Sequence, residues 1–424
     1  MRHRRSPTVL GVLVALVLVV SGCVGSSPAG QELKGKGERR APNREFLNGT
    51  VAASNAFGLD LYRAASSTRG NFAYSPLAII DGLAMARAGS AGDTKAQFDA
   101  ALHTNLTPDL DSGLNTVAAR VADLQGEKRS DTRKGRISID IAASLWGQRG
   151  THIKDDLLER LSSNYGVGFR VTDFRSDPEI SRQAINQWAA DATHTHIEEL
   201  VPRGTVTSFT KFIVASASYL QAPWMHPFVP ALTRTEKFER LDGQTSDVRM
   251  MQVADQDDLR YAEGNEWQAV ELPYLGDELA LLVIMPGPGE FTPFEQNLTT
   301  ERLKDITAAV QPKPLDVHLP QFQFTTGGSL RDQLVAQGLP NIFSRDADFS
   351  GITTDEVVSV SDDVYQGFFG VSEEGTDPLN TATAQSTNGS LAGARKVSFE
   401  RPFLFFVRDR ETGLVLIQGR VVAP

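Results

Sequence analysis

The order of the sequence patterns along the chain limits the fold to a mixed one in which helices come first. In the first half, apolar residues recur at helical spacing in segments 51–64, 77–87, 115–124, 153–164 and 178–194. The second half changes to apolar or alternating runs bounded by Gly and Pro, in segments 212–220, 271–285, 315–324 and 403–417. Helices followed by strands predict an α+β fold rather than alternating β-α-β units.

The C-terminal stretch predicts a β-hairpin. Residues 402–407 and 414–417 are apolar apart from the leading Pro402, and the charged segment 408–413 between them ends on Gly413. Continuous apolar runs of this kind are typical of strands buried on both faces.

The composition from about residue 50 onward predicts one large domain over 50–424. About 375 residues would suggest two or three domains by length alone. No repeat, second linker or change in composition divides this stretch, so a single mixed domain is the better prediction.

The first 22 residues predict an export signal. Three arginines among the first five residues precede an apolar run from Val9 to Val20, which is too short to span a bilayer comfortably. Ser21 and Gly22 then lead into Cys23, the single cysteine of the chain. The pattern resembles the lipobox of bacterial lipoproteins, in which the cysteine is acylated and becomes the new N-terminus. An ordinary secretory signal with Cys23 near its cleavage site is the alternative, and the position of a lone cysteine favours the lipobox.

The next segment predicts a flexible tether. Residues 24–45 are rich in Gly, Pro, Ser, Lys and Arg, and the first aromatic residue after them is Phe46. Such a composition is too polar to pack, so residues 23–49 are interpreted as the lipidated Cys23 and a linker. The protein is therefore expected to be exported and anchored in the cell membrane by lipid, facing outside.

Charge and motifs exclude several classes of function. Three of the 42 basic residues lie in residues 1–22, which leaves 39 against 52 acidic side chains, and this net charge of −13 argues against nucleic-acid binding. The sequence lacks a Gly-x-Ser-x-Gly elbow, a His-Glu-x-x-His helix, a phosphate loop and a dinucleotide fingerprint. We therefore predict that the protein is not an enzyme and needs no cofactor or metal.

One basic cluster stands out between a predicted helix and a predicted strand. It contains Lys128, Arg129, Arg133, Lys134 and Arg136. Acidic residues at 127 and 131 interrupt the cluster, so a hydrated loop is the prediction and a polyanion site is the alternative.

An ordered series of segments across some 350 residues resembles the serpin family. The segments are Asn71-Phe72-Ala73-Tyr74-Ser75-Pro76-Leu77, 84–97, Ile185-Asn186-Gln187-Trp188, Trp224 with Pro227-Phe228, Glu271-Leu272-Pro273-Tyr274, Leu319-Pro320-Gln321-Phe322, 347–352 and Arg401-Pro402-Phe403-Leu404-Phe405. Ser75 followed by Pro76 also predicts a helix start, because proline is favoured in the first turn. The resemblance implies a serpin fold, with a helical N-terminal half, a large central β-sheet, further sheets and an exposed reactive loop at about 373–396.

The resemblance also implies a function. Serpins present the loop as bait, and after cleavage the loop inserts as a new central strand of the large sheet and traps the protease as an acyl-enzyme. The implied partner is a serine protease, or a cysteine protease as the second choice, and the protein is expected to act as a monomer.

The start of the loop resembles the family's proximal hinge at Glu373, Glu374, Gly375 and Thr376. Every second residue from Thr376 to Ser386 is mostly small, whereas the intervening residues are mostly polar. A strand with one small and one polar face could slide between two others and bury the small face. A merely flexible Thr/Ala/Ser/Gly loop would have nearly the same composition.

Two residues favour an alternative, a non-inhibitory serpin-like protein whose loop is a substrate or does not insert. Pro378 has no backbone N–H and is poorly tolerated in central strands. Asn380 falls on the face that would be buried, where an unpaired amide costs about 1–3 kcal/mol.

The scissile bond has two candidate positions. Counting forward from the hinge by the family's spacing places it between Gly389 and Ser390, and counting back from Phe399 places it between Leu391 and Ala392. Leu391 would suit chymotrypsin-, elastase- or subtilisin-like enzymes and is preferred for its side chain, whereas Gly389 would suit an elastase-like enzyme with a small pocket.

The resemblance also locates the part of the large sheet that opens to admit the loop. Ser75, Ser216, Trp224 and Tyr365 occupy these positions, and the first two together with Tyr365 could form a hydroxyl cluster.

Overall fold

A computed structural model describes residues 30–67, 70–256, 259–376 and 394–424 of the chain. The predicted signal, Cys23, Pro378, Asn380 and the scissile-bond candidates Gly389, Ser390, Leu391 and Ala392 lie outside these residues. The helices are α1 Leu47–Ser66, α2 Pro76–Ala88, α3 Gly92–Ala101, α4 Leu110–Leu124, α5 Asp155–Arg160, α6 Pro178–Ala192, α7 Phe291–Gln296, α8 Thr300–Ala309 and α9 Arg331–Ala336. A π-helical turn, Leu161–Tyr165, continues α5, and short 3₁₀ turns lie at Arg44–Phe46, Thr104–Leu106, Pro230–Leu232 and Asn341–Phe343.

The strands dominate the second half of the described chain. They are β1 Gln31–Leu33, β2 Phe72–Tyr74, β3 Gly126–Arg129, β4 Lys134–Gln148, β5 Phe169–Thr172, β6 Phe212–Pro223, β7 Arg234–Glu239, β8 Thr245–Gln256, β9 Arg260–Glu263, β10 Trp267–Pro273, β11 Leu279–Pro286, β12 Gln311–Pro312, β13 Leu315–Pro320, β14 Phe322–Ser329, β15 Asp362–Val371, β16 Gly375–Thr376, β17 Arg395–Ser398, β18 Phe403–Asp409 and β19 Val415–Val421. The α+β prediction is therefore confirmed, although segments 271–285 and 315–324 each contain parts of two strands.

The largest sheet has eight strands in the order β1-β5-β4-β6-β16-β15-β14, with β3 paired to β4. Strands β6 and β15 run parallel, and both begin at the same end of the sheet. We call that end the lower end, and the end where β16 lies between them the upper end. From Phe212 to Ala222 the sheet extends over about 33 Å, given a rise of roughly 3.3 Å per residue.

Two smaller sheets complete the fold. The seven-stranded sheet β12-β9-β10-β11-β18-β19-β2 contains the predicted C-terminal hairpin, and β18 and β19 are buried along their whole length. The four-stranded sheet β17-β13-β8-β7 contains the strand that follows the loop.

Helix α2 supports the large sheet from the core side. Ser75 is its N-cap, with a side-chain oxygen accepting from the Ala78 N–H, and Pro76 fills the first turn as predicted. The helix lies so close to β6 that a Cβ on Gly82 would stand 2.8 Å from Val214 and 2.9 Å from the Ser216 hydroxyl. Glycine at position 82 therefore permits the close contact of helix and sheet.

The structure corrects the prediction of a flexible linker for residues 30–49, and residues 23–29 lie outside the described part of the chain. From residue 30 onward this segment is docked, with β1 pairing antiparallel to β5 from Gln31↔Val171 to Leu33↔Phe169. The residues that follow bond to α4 and to the α5 region, and α1 begins at Leu47, before the predicted domain start at 50. The polar composition was misleading because the segment is held by backbone and polar hydrogen bonds rather than by apolar burial. We call residues 30–46 the N-terminal strap.

Backbone groups of the strap are bonded at several points. The Gly35 N–H donates to the Ser162 hydroxyl over 2.9 Å, and the N–H groups of residues 36 and 37 donate to Glu159. Asn115 on α4 accepts from Arg39 Nε at 2.7 Å and donates to the Arg40 carbonyl at 2.8 Å. Among the described residues, no helix combines the length and apolar character needed to cross a bilayer.

Replacing the Asn115 amide should loosen the strap. Asn115→Ala removes two hydrogen bonds worth about 0.5–1.5 kcal/mol each, so amide exchange in residues 31–43 should accelerate by at least about fivefold. Hydrogen–deuterium exchange with mass spectrometry measures this, with Asn297→Ala at the end of α7 as the control. Unchanged exchange in 31–43 would show that Asn115 does not hold the strap.

Candidate functional site

The upper part of the large sheet contains a gap between β6 and β15. Below the gap the two strands pair directly through six residue pairs, from Ile213↔Asp362 to Ser218↔Gly367. Above it they separate, and β16 lies between them, where Thr376 pairs with Val371 on one side and with Ala222 on the other. The predicted hinge residues Gly375 and Thr376 are thus already strand residues of this sheet.

Backbone hydrogen bonds fix the register of the hinge. The Trp224 N–H donates to the Glu374 carbonyl and the Ser372 N–H donates to the Gly375 carbonyl, each over 2.9 Å. A Cβ on residue 375 would stand 2.2 Å from the Ala222 carbonyl oxygen. Glycine is therefore the residue that lets the hinge approach β6 this closely.

Two aromatic residues form the wall against which the hinge packs. Trp224 and Tyr274 are stacked with ring centroids 4.5 Å apart, and the indole Nε1–H donates to the Ser372 carbonyl. The Tyr274 hydroxyl lies 2.6 Å from the Thr376 hydroxyl, and both residues are buried. Burial raises the pKa of Tyr274 above its usual range, so its hydroxyl stays protonated and available for this hydrogen bond.

Charged and polar side chains hold the two hinge glutamates. Arg133 donates to Glu374 Oε2 at 3.0 Å and to the Trp224 carbonyl at 3.1 Å, and thereby joins the hinge to β6. On the other side the Thr233 hydroxyl donates to Glu373 Oε1 at 2.9 Å, and the Phe228 N–H donates to the Glu373 carbonyl.

The contact of Arg133 corrects the prediction that the basic cluster forms a hydrated loop. Lys128 and Arg129 lie on β3, and Lys134 and Arg136 lie on the paired strand β4. Arg133 sits at the turn between them, and its side chain reaches the hinge. Sequence reasoning missed Arg133, Thr233 and Tyr274 as site residues, because their positions depend on how distant strands meet at the upper end.

The directly paired segment below the gap contains hydroxyl groups on the face toward α2. Tyr365 accepts from the Ser75 N–H at 2.9 Å and lies 2.7 Å from the Ser218 hydroxyl. Burial raises the pKa of Tyr365 to about 12, so the phenol is neutral at physiological pH. The expected cluster of Ser75, Ser216 and Tyr365 is thus different in detail: Ser75 contributes its backbone N–H, and Ser218 supplies the second hydroxyl.

Ser216 does not contribute its hydroxyl to the cluster. It pairs with Tyr365 in the strand register, but its buried hydroxyl oxygen has no hydrogen-bond partner within the described part of the chain. Period-two alternation along β6 places Ser216 and Ser218 on the same face, which is the signal that could have identified Ser218.

A carboxyl group lies buried at the base of the direct pairing. Asp363 is fully buried beside Val214 in the register, and neither of its carboxylate oxygens has a hydrogen-bond partner among the described residues. Burial raises the pKa of Asp363 well above its usual range, which favours the neutral acid in the closed sheet.

The described site brings Glu373, Glu374, Gly375, Thr376 and Trp224 into contact, whereas the hydroxyls near Tyr365 lie lower in the sheet. Within the described ranges, no group of three or more His, Cys, Asp or Glu side chains is placed to hold a metal ion. The arrangement is that of a two-residue strand in a partly open sheet.

Comparison with known proteins supports one family along nearly the whole domain. Residues 52–424 match the sequence model of the family described as "Serpin (serine protease inhibitor)". An uncharacterised serpin-like protein of Thermococcus kodakarensis is 30% identical over 377 residues, which cover 88% of this chain and 85% of that protein. The leukocyte elastase inhibitor of Sus scrofa is 29% identical over 88% of this chain and 99% of its own length.

Solved structures agree with the sequence comparison. The native state of tengpin, a thermophilic serpin, aligns with a TM-score of 0.79 at 20% identity, over 93% of this chain and 100% of its own. Uncleaved ovalbumin aligns with a TM-score of 0.78 at 23% identity, over 88% of this chain and 100% of its own. The match over residues 52–424, the shared fold and the hinge between β6 and β15 together show that this chain belongs to the serpin family.

Proposed function

We propose that the protein is a suicide inhibitor of serine proteases that traps its target by inserting the cleaved loop between β6 and β15. The observation that carries the proposal is the pairing of Thr376 with both strands and of Gly375 with β6, which supports a loop already in register with the sheet. The name of the pig relative, leukocyte elastase inhibitor, supports an elastase-like target among the chymotrypsin-, elastase- and subtilisin-like classes.

The hinge register defines where each loop residue would go on insertion. Residue 376 pairs with 371 on β15 and with 222 on β6, and both neighbours run antiparallel to β16. Continuing this register pairs residue 385 with Asp362 and Ile213, the lowest directly paired residues of the closed sheet. The insertion would therefore replace all six direct pairs with pairs to the loop.

Asn380 would reach polar partners in this register. It would lie opposite Ser218 and Gly367, on the same face as Thr376. The hydroxyls of Ser218 and Tyr365 are 2.7 Å apart at this level, so they could accept from or donate to the Asn380 amide. These hydrogen bonds would offset the cost of burying the Asn380 amide, which argued against inhibition.

Pro378 would remain a local defect. The Trp224 N–H to Glu374 carbonyl bond makes residues 374, 376 and 378 the hydrogen-bonded positions toward β6. Pro378 would lie opposite Leu220 and could not donate to its carbonyl, so the inserted strand loses one bond on this side. This loss favours the second candidate function, a loop that is cleaved as a substrate before it inserts.

A trapping assay separates the two functions. Protein lacking residues 1–23 is incubated with trypsin-, chymotrypsin-, elastase- and subtilisin-type proteases, followed by denaturing gels and intact mass. We expect an SDS-stable adduct and a released C-terminal peptide, whose mass places the cut after Gly389 or Leu391. If every protease cleaves the loop without forming an adduct and keeps its full activity, the inhibitor proposal is wrong.

Replacing Pro378 should speed trapping. Pro378→Ala restores one N–H toward Leu220, a hydrogen bond worth about 0.5–1.5 kcal/mol, so the insertion rate should rise by up to about tenfold. Thr381→Ala, on the opposite face, is the matched control. The measurement is the ratio of trapped to cleaved inhibitor, and a ratio that Pro378→Ala leaves unchanged would contradict the register.

We also propose that the inhibitor is exported and held at the outer face of the cell membrane by lipid on Cys23. The support is the apolar run of residues 9–20 and the small residues that precede the single cysteine. Cys23→Ser should move the protein from the membrane fraction to the medium or the soluble fraction. Membrane association that persists in this variant would contradict acylation at Cys23.

A further inference from the structure

The docked strap determines where a lipid on Cys23 would attach to the domain. Gln31 pairs with Val171, and β5 runs parallel to β4, whose Gly147 pairs with Phe212 at the lower end of the sheet. The chain before residue 30 therefore leaves the domain at the lower end. Residues 23–29 can span at most about 25 Å when fully extended, so the lower end must lie close to any bilayer that holds the lipid.

Exposed apolar side chains lie at the same end. Phe209, just before β6, is 88% exposed, and Val357, before β15, is 66% exposed. Ile180, in the first turn of α6 beyond the lower end of β5, is 52% exposed. These are three of the six large apolar side chains that are exposed among the described residues.

Phe209 and Val357 belong to one local surface. Lys211 donates to the Val357 carbonyl at 3.0 Å and pairs with Glu356, and Arg175 also pairs with Glu356 at 2.9 Å. Strand spacing of about 4.8 Å places this surface within roughly 20 Å of β1, across β5, β4 and β6. We call the surface formed by Arg175, Phe209, Lys211, Glu356 and Val357 the lower rim.

We propose that the lower rim rests on the lipid bilayer, with Phe209 and Val357 in the interface and the reactive loop directed away from it. This rests on the proposed acylation of Cys23. An aromatic and an aliphatic side chain suit the boundary between headgroups and acyl chains, and the stems of Lys211 and Arg175 can lie along it while their charged ends stay paired with Glu356. The hinge at Thr376 then lies about 33 Å farther from the membrane, along the length of β6, where a protease outside the cell can reach the loop.

The test measures orientation rather than anchoring or inhibition. Because the single native cysteine is acylated, a second one can carry an environment-sensitive fluorophore in the full-length lipoprotein. Ser176→Cys reports on the lower rim, and Ala231→Cys, exposed near the hinge contact of Thr233, reports on the upper end. Both are reconstituted in vesicles of phosphatidylcholine and phosphatidylglycerol that contain nitroxide-labelled lipid, and flotation shows separately that the protein is bound.

The expected result is loss of most of the fluorescence at position 176 and little loss at position 231. Adding Phe209→Asp and Val357→Asp should reduce the quenching at position 176 while the protein still floats with the vesicles. Floating protein with quenching at 231 rather than 176, or with none at either position, would overturn the orientation. Quenching at 176 that survives the double substitution would show that the tether alone orients the domain and would overturn the contact of the rim. Protein that does not float contradicts both the anchor and the contact that rests on it, and leaves the inhibitor proposal intact.

Discussion

The direct pairing of β6 with β15 is the interaction on which the rest of the molecule depends. Six residue pairs, from Ile213↔Asp362 to Ser218↔Gly367, close the lower half of the large sheet. Above them the strands are held apart by Gly375 and Thr376. The lower half of the sheet is therefore closed, and its upper end is occupied by the hinge. A longer inserted strand has to separate the six pairs one after another, beginning at the upper end.

Side chains on both sides of the sheet stabilise this resting arrangement unevenly. At the top, Arg133 bonds Glu374 and the Trp224 carbonyl together, so it fixes the hinge to β6. Lower down, Tyr365 ties β15 to Ser218 of β6 and to the N–H of Ser75 at the start of α2. Among the described residues the Asp363 carboxylate has no such bond, and a buried carboxyl without partners destabilises the closed state around it. The bonds of Arg133 and Tyr365 hold the closed sheet in place, whereas the buried Asp363 weakens it at the lower end. This combination is consistent with a sheet that can open when the loop begins to insert from the hinge.

The sequence allowed the fold to be predicted well, but the contacts of the site much less well. Helical periodicity and apolar runs identify α1, α2, α6 and the C-terminal hairpin because each pattern is local. Arg133 could not be assigned in this way, because its partner Glu374 is 241 residues away and the two meet through the order of the strands. The prediction of a flexible linker in place of the strap was wrong for a different reason. Strand β1 pairs with β5 through backbone groups, and amino-acid composition does not reveal such pairing. The roles of Cys23 and of loop residues 377–393 remain predictions, because these residues lie outside the described ones, whereas the predicted end of the loop at 395–396 belongs to β17.

The proposed lipid anchor and the proposed loop insertion require different states of the strap. A docked strap keeps the lower end close to the membrane, whereas a trapped protease needs space there. In the hinge register residue 385 arrives at the lower end, so a protease attached at Gly389 or Leu391 would arrive beyond it, on the side that would face the bilayer. A protease of some 230 residues is about 40 Å across, whereas residues 23–29 reach at most about 25 Å. A trapped protease and a docked strap therefore do not fit together above one membrane. The strap can yield, since β1 is a three-residue edge strand that pairs with β5 among the described strands, and residues 35–40 are held by hydrogen bonds to Ser162, Glu159 and Asn115. If β1 unpairs and these hydrogen bonds are released as well, residues 23–46 become a tether of up to about 80 Å. Their polar composition, which is typical of a flexible linker, would then match their state in the complex with the protease.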